Sequence, residues 1–373
     1  MHIEVLEALN RRQLREFLRF PYRLYRDDPN WVAPLRRDQR RLIFQRRTPL
    51  LRTNPHTFLL ARVDNLTVAR ICVTLQRQAG TAFFTWLESI KNFDVFRTML
   101  TAAENWACER SATLLRGPVS PTLGYDYRGL LVEGFTHRPL FMDSYNASYY
   151  PEYLSHCGFM PFTDLMAYRY DLAKIDFVSR MRAVHYAMKR YGFSIDHLHH
   201  KDYRLVAHEV QAMLGQALAG ERTAFPFSNT DILGIARRIK DYADRDLIIF
   251  ARDQAGEPIG FLIALPDYNQ LLNGLSGRLG LRGRFRLVFR RNQIQCARSF
   301  FIFVVPAYRR KGVAQGIYLT AFNNAYHKGY THGEASDISA DNLVMRRDAE
   351  KLGGRHYKTY RIYQKFLNPG SGE

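Results

Sequence analysis

The sequence predicts an α/β protein made of two related halves, each a sheet flanked by helices. The order strand, strand, strand, helix, strand can be read from Phe58 to Gly117, and it recurs from Leu247 to Ile338. A recurring order of this kind indicates an internal repeat whose sequence has diverged. A chain of 373 residues is also long enough for two domains of ordinary size. We therefore predict an N-terminal domain over residues 1–172 and a C-terminal domain over residues 173–373.

Composition and charge limit the class of protein. Hydrophobic residues make up 46% and aromatic residues 13% of the chain, which is typical of a globular protein. With 54 Lys and Arg against 35 Asp and Glu, the formal charge is +19. Such an excess indicates an anionic partner, which composition leaves open between nucleic acid, anionic lipid and an acidic small molecule.

Cysteine usage and the N-terminus bear on location. Four widely spaced cysteines form no Cys-x-x-Cys pair, so we expect free thiols in a reducing compartment. The first residues lack a signal-peptide pattern, and no stretch reaches eighteen consecutive apolar residues. We therefore expect a cytoplasmic protein, with a peripheral position on the inner face of the cytoplasmic membrane as an alternative.

In the first half, two strands between Phe58 and Leu75 are joined by a turn at Asp64-Asn65. A third strand and a helix over residues 93–110 follow. Residues 117–135 show too little periodicity for a helix or strand, and we predict a long loop there. Where the second half has three basic residues after its strand, this half has Glu88 and Asp94, which would repel a phosphate.

The second half contains a candidate anion site. Phe300 to Val305 are aromatic or β-branched and end at Pro306, so they indicate an interior strand. Arg309-Arg310-Lys311-Gly312 then precede an apolar pattern that predicts a helix. The first amides of a helix are unpaired and its dipole is positive there, and glycine permits close approach of a phosphate. A basic, solvated turn is the alternative.

Two short patterns resemble known signatures. Arg309-x-x-Gly312-x-Ala314 resembles the R/Q-x-x-G-x-G/A motif of the GNAT acyltransferase superfamily, where it holds the pyrophosphate of coenzyme A. The layout Asn342-x-x-Met345-x-x-x-Ala349-x-x-x-Gly353 is similar to the second motif of that superfamily. Ala349 stands where the motif has a tyrosine, which in many members protonates the leaving thiolate, so the resemblance leaves the general acid unassigned.

The whole chain resembles a bacterial family of tandem-GNAT N-acyltransferases. Matching segments span nearly the full length and include Phe20-Pro-Tyr, Asp28-Pro-Asn-Trp-Val, Gly129-Leu-Leu-Val-Glu-Gly-Phe, Pro266-Asp-Tyr-Asn and Tyr357-Lys-Thr-Tyr-Arg-Ile-Tyr. The resemblance implies two GNAT-like domains in tandem, each with a mixed central sheet flanked by helices. It also implies an acyl-CoA-dependent acyltransferase. Some relatives of this type are proposed to be bacterial ceramide synthases, which transfer a long acyl chain to a sphingoid amine.

For the acyl-CoA or acetyl-CoA donor, the resemblance implies binding residues at the strand end, in the basic turn and at the second motif. These are Phe303, Val304, Val305, Arg309, Arg310, Lys311, Gly312, Val313, Ala314 and Asn342. We also expect the backbone N–H near Val305 to stabilise the oxyanion, because coenzyme A separates the strands there in this fold.

The implied reaction is direct transfer to an amine, which must lose a proton as it attacks the thioester. Glu334 is the leading candidate base, followed by Asp337 and Asp267; the alternative is that these acids form structural pairs with arginines. Asp337 stands where relatives commonly have a tryptophan, which suggests a different substrate. Tyr357, Tyr360 and Tyr318 are unranked candidates for the acid. No Ser or Cys nucleophile pattern is visible.

Two basic segments, residues 10–47 and 278–298, are candidates for contact with an anionic membrane. In the second, seven arginines alternate with apolar residues, and no Asp or Glu occurs from residue 268 to residue 333. The alternatives are a helical pair that covers a sheet edge for the first segment and a solvated loop for the second.

Other classes of function remain open at this point. The acceptor could be a small polar amine instead of a lipid amine. A non-catalytic coenzyme A-binding protein or a nucleic-acid-binding protein on the same scaffold is the remaining alternative, although no nucleic-acid motif is present. His197, His199 and His200 lack acid or cysteine partners in the pattern, so we expect no metal site.

Overall fold

The computed structural model describes residues 2–44, 51–52, 54–76, 80–122, 126–198, 203–218 and 229–368. By its packing contacts the chain forms two compact units. The first contains residues 1–165, 272–283 and 358–373, and the second contains residues 166–271 and 284–357. Each unit is therefore built from segments that are not contiguous in sequence, because residues 272–283 and the C-terminal segment belong to the first unit.

The described residues contain thirteen strands and eleven helices, numbered here in chain order. The strands are β1 Glu4–Glu7, β2 His56–Val63, β3 Leu66–Gln76, β4 Thr81–Ser89, β5 Leu114–Gly117, β6 Leu130–Glu133, β7 Met160–Asp171, β8 Phe193–His197, β9 Ile248–Asp253, β10 Pro258–Pro266, β11 Cys296–Val304, β12 His332–Ser339 and β13 Arg355–Phe366. The helices are α1 Arg11–Leu24, α2 Arg36–Phe44, α3 Phe93–Cys108, α4 Tyr150–His156, α5 Phe177–Tyr191, α6 Tyr203–Leu218, α7 Asn229–Ile239, α8 Asn269–Leu272, α9 Leu281–Phe289, α10 Val313–His327 and α11 Leu343–Lys351.

In the first unit, the strand order is β1-β2-β3-β4-β5-β13, and β6 pairs with β13 as well. In the described part of this unit, β4 and β5 run parallel, whereas the pairs β1–β2, β2–β3, β3–β4, β5–β13 and β6–β13 are antiparallel. The predicted turn is present, because Asp64 and Asn65 both have positive φ. Helix α3 packs its apolar face, including Phe96 and Leu100, into the main core of this unit.

In the second unit, the strand order is β7-β12-β11-β10-β9-β8. Strands β8 to β11 are antiparallel neighbours, whereas β11 and β12 are parallel. Helix α10 packs on this sheet with α5 beside it. A Cβ on Gly316 of α10 would come within 3.0 Å of Val184 of α5 and 2.4 Å of Ile195 of β8. Glycine at this position therefore permits the close packing that locates the start of α10.

Three expectations from the sequence need correction. Residues 130–133 form β6 within the predicted loop, because their partner is β13, more than two hundred residues away. Apolar spacing over residues 173–246 indicates a largely helical segment, but residues 193–197 form the strand β8 there. Residues 281–289 form the helix α9 instead of a solvated loop. All three depend on contacts that local periodicity does not contain.

Candidate active site

Strands β11 and β12 separate partway along their length. They pair from Cys296–His332 to Ser299–Ala335, and no pairing is recorded beyond that point. Two irregularities coincide there: the β10–β11 register shifts at Ile263/Ala264, which leaves Phe300 as an extra residue, and Asp337 of β12 has φ of +59°. The bulge and the left-handed residue both bend the strands, and the result is an opening between β11 and β12.

The backbone of β11 faces this opening. Antiparallel strands bond through alternate residues, and the Val305 N–H donates to the Ile259 carbonyl at 2.9 Å. In the same register, the amides of Ile302 and Val304 point away from β10 and toward the opening. Of the amides near Val305 that the sequence suggests for an oxyanion, the Val305 N–H itself is used within the sheet. The Val304 amide, one residue earlier, has the required direction.

A group of backbone amides lies just beyond the end of β11. Arg310 has φ of +63° and Gly312 has φ of +82°, and α10 begins at Val313 with no side-chain cap. The first bond inside the helix is the one from Gly316 N to Gly312 O, at 2.9 Å. Among the described residues, no acceptor is recorded for the amides of residues 310–315. Donors grouped in this way at the positive end of a helix are able to bind an anion.

The basic side chains of this turn have different surroundings. Arg309 Nε donates to the Val304 carbonyl at 3.3 Å, so this side chain supports the end of β11. Lys311 Nζ lies 4.8 Å from the ring centre of Tyr308. Arg310 is exposed. The side chain of Val313 is buried, so this residue contributes through its amide.

The equivalent helix of the first unit has a different N-terminus. The Asn92 side chain accepts from the Val95 amide at 3.0 Å, and Asp94 lies in the first turn of α3. Glu88 pairs with Arg70 on β3. The chain's own oxygen atoms thus lie at the positive end of α3, and that this half does not bind a phosphate stays a prediction.

Glu334 lies on β12 where the opening begins, and its side chain is fully buried. Its Oε1 is 3.7 Å from Nε of Arg298, which is its register neighbour on β11. Its Oε2 accepts a hydrogen bond from the hydroxyl of Tyr357. The carboxylate is therefore held between a buried guanidinium and a half-buried phenol.

The other two candidate acids have structural contacts. Asp337 lies 3.4 Å from Nη2 of Arg298. Asp267 follows β10, where its Oδ1 accepts from the Asn269 amide at 3.2 Å and its Oδ2 accepts from the Gln270 side chain at 3.1 Å. Asp267 therefore caps the short helix α8. The alternative of structural acid–arginine pairs describes the contacts of Glu334 and Asp337.

The three tyrosines are not equivalent. Tyr357 contacts Glu334, whereas Tyr318 of α10 lies 3.5 Å from the Ser299 hydroxyl, and burial raises the pKa of Tyr318 to about 12. Tyr360 belongs to the first unit, where its hydroxyl donates to Asp143 at 3.2 Å. Of the three, Tyr357 is the one in contact with the leading candidate base.

The second motif forms the start of α11. The Asn342 side chain accepts from the Met345 amide at 3.1 Å and so caps this helix. Ala349 is buried on the same helix, and its carbonyl accepts from the Gly354 amide at 3.0 Å. The motif thus terminates and caps a helix in this chain.

Of the three histidines that the sequence analysis considered for a metal site, His199 and His200 lie outside the described residues. His197 is half-exposed, and its Nδ1 is 3.2 Å from a carboxylate oxygen of Asp196. Within the described part of the chain, no group of three metal-ligating side chains was found.

The two basic segments differ in what they expose. In α1, Phe17, Leu18 and Phe20 are buried against the first unit, so its surface is mainly charged; residues 45–47 of this segment lie outside the described ranges. In α9, Phe285, Val288 and Phe289 are 56%, 70% and 66% exposed. Their spacing puts them on one face of the helix. None of the described helices has the length and hydropathy needed to cross a bilayer.

Arg298 belongs to the candidate site, and sequence reasoning did not identify it. It was counted as one of seven arginines in a basic segment, but its side chain is only 3% exposed and contacts Glu334, Ser336 and Asp337. The available signal was its position in a mainly apolar strand, where an arginine needs a buried partner.

The fold is that of tandem-GNAT proteins. A tandem GNAT protein from the clavulanic acid biosynthesis pathway matches with a TM-score of 0.60 at 13% identity, covering 100% of both chains. A glucosamine N-acetyltransferase region of a fungal multi-domain β-N-acetylglucosaminidase matches with a TM-score of 0.61 at 16% identity, covering 98% of this chain and 38% of that one. The predicted fold class is confirmed.

Among curated proteins, the bacterial ceramide synthase of Caulobacter vibrioides (strain NA1000 / CB15N) is 27% identical over 391 aligned positions. The alignment covers 98% of each chain. No protein-family model matches the sequence. Together the relative and the structural neighbours support a tandem-GNAT acyltransferase, as the sequence motifs predicted.

Proposed function

We propose that this chain transfers an acyl group from an acyl-CoA thioester directly to an amine, with a long acyl chain as donor group and a lipid amine of the sphingoid type as acceptor. The observation that carries the proposal is the group of amides at residues 310–315, which has no recorded acceptor in the described part of the chain. It lies at the end of a strand that is open on one side.

The donor site fits a diphosphate with a thioester attached. The amides of residues 310–315 and the exposed Arg310 would hold the phosphate oxygens by charge-assisted hydrogen bonds. The pantetheine arm of the donor is extended and rich in amides, and it would pair with the outward amides of Ile302 and Val304. The Val304 amide would also stabilise the negative charge that develops on the thioester oxygen.

The proton of the amine would leave through Tyr357. Glu334 is fully buried, but the half-buried Tyr357 hydroxyl already donates to its Oε2. In the transfer step the nitrogen–carbon bond forms and the carbon–sulfur bond breaks. The amine proton passes to the Tyr357 oxygen while the phenolic proton passes to Glu334. Coenzyme A leaves as a thiolate, which solvent protonates.

Two features favour a lipid acceptor. The relative named bacterial ceramide synthase covers nearly the full chain. The exposed apolar face of α9, flanked by exposed Arg282, Arg284 and Arg290, would allow contact with an anionic membrane surface, from which a lipid amine could be taken.

The test is an assay of the purified chain with donors and acceptors in a matrix. Acetyl-CoA and palmitoyl-CoA are each combined with sphinganine, glucosamine and spermidine, and the amide products are measured by mass spectrometry. We expect N-palmitoylation of sphinganine. Acetylation of a polar amine alone would replace the lipid assignment with a small-molecule N-acetyltransferase. Absence of any amide, with coenzyme A still bound, would contradict the enzymatic proposal.

A further inference from the structure

The second unit contains a cavity of about 930 Å³ between its sheet and the helices α6 and α7. Ile248 of β9, Ile263 of β10 and Phe301 of β11 are register neighbours and form one apolar row across its floor. Val206, Ala207 and Val210 of α6 and Ile232, Ala236 and Ile239 of α7 line the opposite wall. The volume is at the upper end of the range for ligand pockets, about 300–1,000 Å³.

The cavity lies on the same face of the sheet as Glu334. Because of the bulge in β11, Phe300 and Phe301 both line the cavity. The ring of Phe300 is 5.9 Å from the guanidinium of Arg298, which contacts Glu334. By contrast, Ser299 faces Tyr318 of α10 on the other side. The apolar space therefore ends next to the candidate reaction centre.

A second end of the cavity is at α9. Val288 and Phe289 are among its lining residues, yet both side chains are largely exposed. The apolar face of α9 thus continues from the protein surface into the cavity. Between the two ends, a ligand would contact the apolar side chains of the floor and of α6 and α7.

We propose that this cavity holds one long, unbranched alkyl chain, with the polar end of the ligand beside Arg298 and Glu334 and the chain end toward α9. This inference rests on the proposed function, since it names the site for the apolar part of a substrate. The chain belongs to the thioester or to the lipid amine. The two sources share the same chemistry, and they are separated by experiment.

The experiment narrows the cavity from α6 in one variant and from α7 in another, and it measures equilibrium binding of ligands to each. Ala207→Phe and Ala236→Phe place a phenyl group in the apolar space, and Ala255→Phe in the exposed β9–β10 turn is the matched control. For each variant, the affinities for palmitoyl-CoA and coenzyme A are measured, as are those for sphinganine and 2-aminoethanol. Circular dichroism and the affinity for coenzyme A show which variants are folded.

If the acyl chain occupies the cavity, the ratio of palmitoyl-CoA to coenzyme A affinity falls at least about tenfold in both cavity variants, because each methylene left unburied loses about fourfold. If the amine tail occupies it, the same loss appears in the ratio of sphinganine to 2-aminoethanol. Neither ratio changes in Ala255→Phe. Unchanged ratios in a folded cavity variant would overturn the proposal.

These binding ratios need no turnover, so the two proposals can fail separately. Loss of the palmitoyl-CoA ratio in a chain that acylates no amine would support the cavity and contradict the enzymatic function. Transfer of palmitate to sphinganine, with a chain-length preference that neither cavity variant alters, would support the function and contradict the cavity.

Discussion

Nε of Arg298 lies 3.7 Å from Oε1 of Glu334, and both side chains are almost completely buried. They are register neighbours on parallel strands, one position before the last pair, Ser299–Ala335, after which the strands separate. Removing one member of a buried ion pair leaves an uncompensated charge, which typically costs about 3–5 kcal/mol. Mutation of Glu334 can therefore lower activity through lost stability alone. The matching control removes another carboxylate that contacts the same guanidinium.

Asp337 supplies that control, because its carboxylate also contacts Arg298. We expect Glu334→Gln to lower kcat about 100-fold or more, as loss of a general base does. Asp337→Asn should reduce kcat by less than about tenfold, while both variants lower the unfolding temperature. Steady-state kinetics and thermal unfolding provide the two readouts. Equal losses of kcat in the two variants would show that Glu334 is structural.

Gly312→Asp tests the anion site. The carboxylate would stand beside the first amides of α10, and the residue would keep an unfavourable φ of +82°. We expect coenzyme A to bind at least about tenfold more weakly, equivalent to about 1.4 kcal/mol. Gly329→Asp is the matched control, because its φ is +88° and a Cβ there would meet nothing within 4 Å. Calorimetric titration measures the affinity of each variant for coenzyme A. Equal affinities in the two variants would show that coenzyme A does not bind at this turn.

Tyr318 makes stability depend on alkaline pH. Burial raises its pKa from 10.0 to about 12 in the folded chain, so the neutral form is favoured by folding. The contribution of Tyr318 to the free energy of unfolding is complete below pH 10 and is lost as pH rises through 12. The difference between these two pKa values corresponds to about 2.7 kcal/mol. Tyr318→Phe should therefore lose less stability than the wild type between pH 10 and 12. Urea unfolding at both pH values measures this, and identical losses would contradict the assignment.

The surface of α9 predicts binding to anionic vesicles. Arg284→Glu reverses one charge beside the exposed apolar face, and near a membrane each charge contributes about 1 kcal/mol. We expect the affinity for phosphatidylserine vesicles, measured by co-sedimentation, to fall about tenfold. Neither the wild type nor the variant should bind phosphatidylcholine vesicles. Arg12→Glu makes the same charge change on α1, whose apolar side chains are buried, and should have a smaller effect. An equal effect at the two positions would mean that only net charge matters.

Elements with local signals could be predicted from the sequence. The hairpin of β2 and β3 followed from the Asp64-Asn65 turn between two apolar runs, and α10 followed from its apolar spacing after Gly312. The strand β6 and the first-unit position of residues 358–368 could not be predicted, because their partners are distant in sequence. The amide near Val305 that faces the opening could not be assigned from the sequence for a related reason. Which amide faces the opening depends on the β10–β11 register, which periodicity does not specify.

The sequence by itself was sufficient to predict the anion site and the class of fold. Consecutive amides before an apolar helix are placed by local backbone geometry, so six neighbouring residues were sufficient to identify them. Only the tertiary structure decided that Glu334 meets Arg298 and Tyr357, and that an apolar cavity ends beside them. These residues lie on three different strands, and their proximity arises from strand pairing and side-chain packing across the sheet.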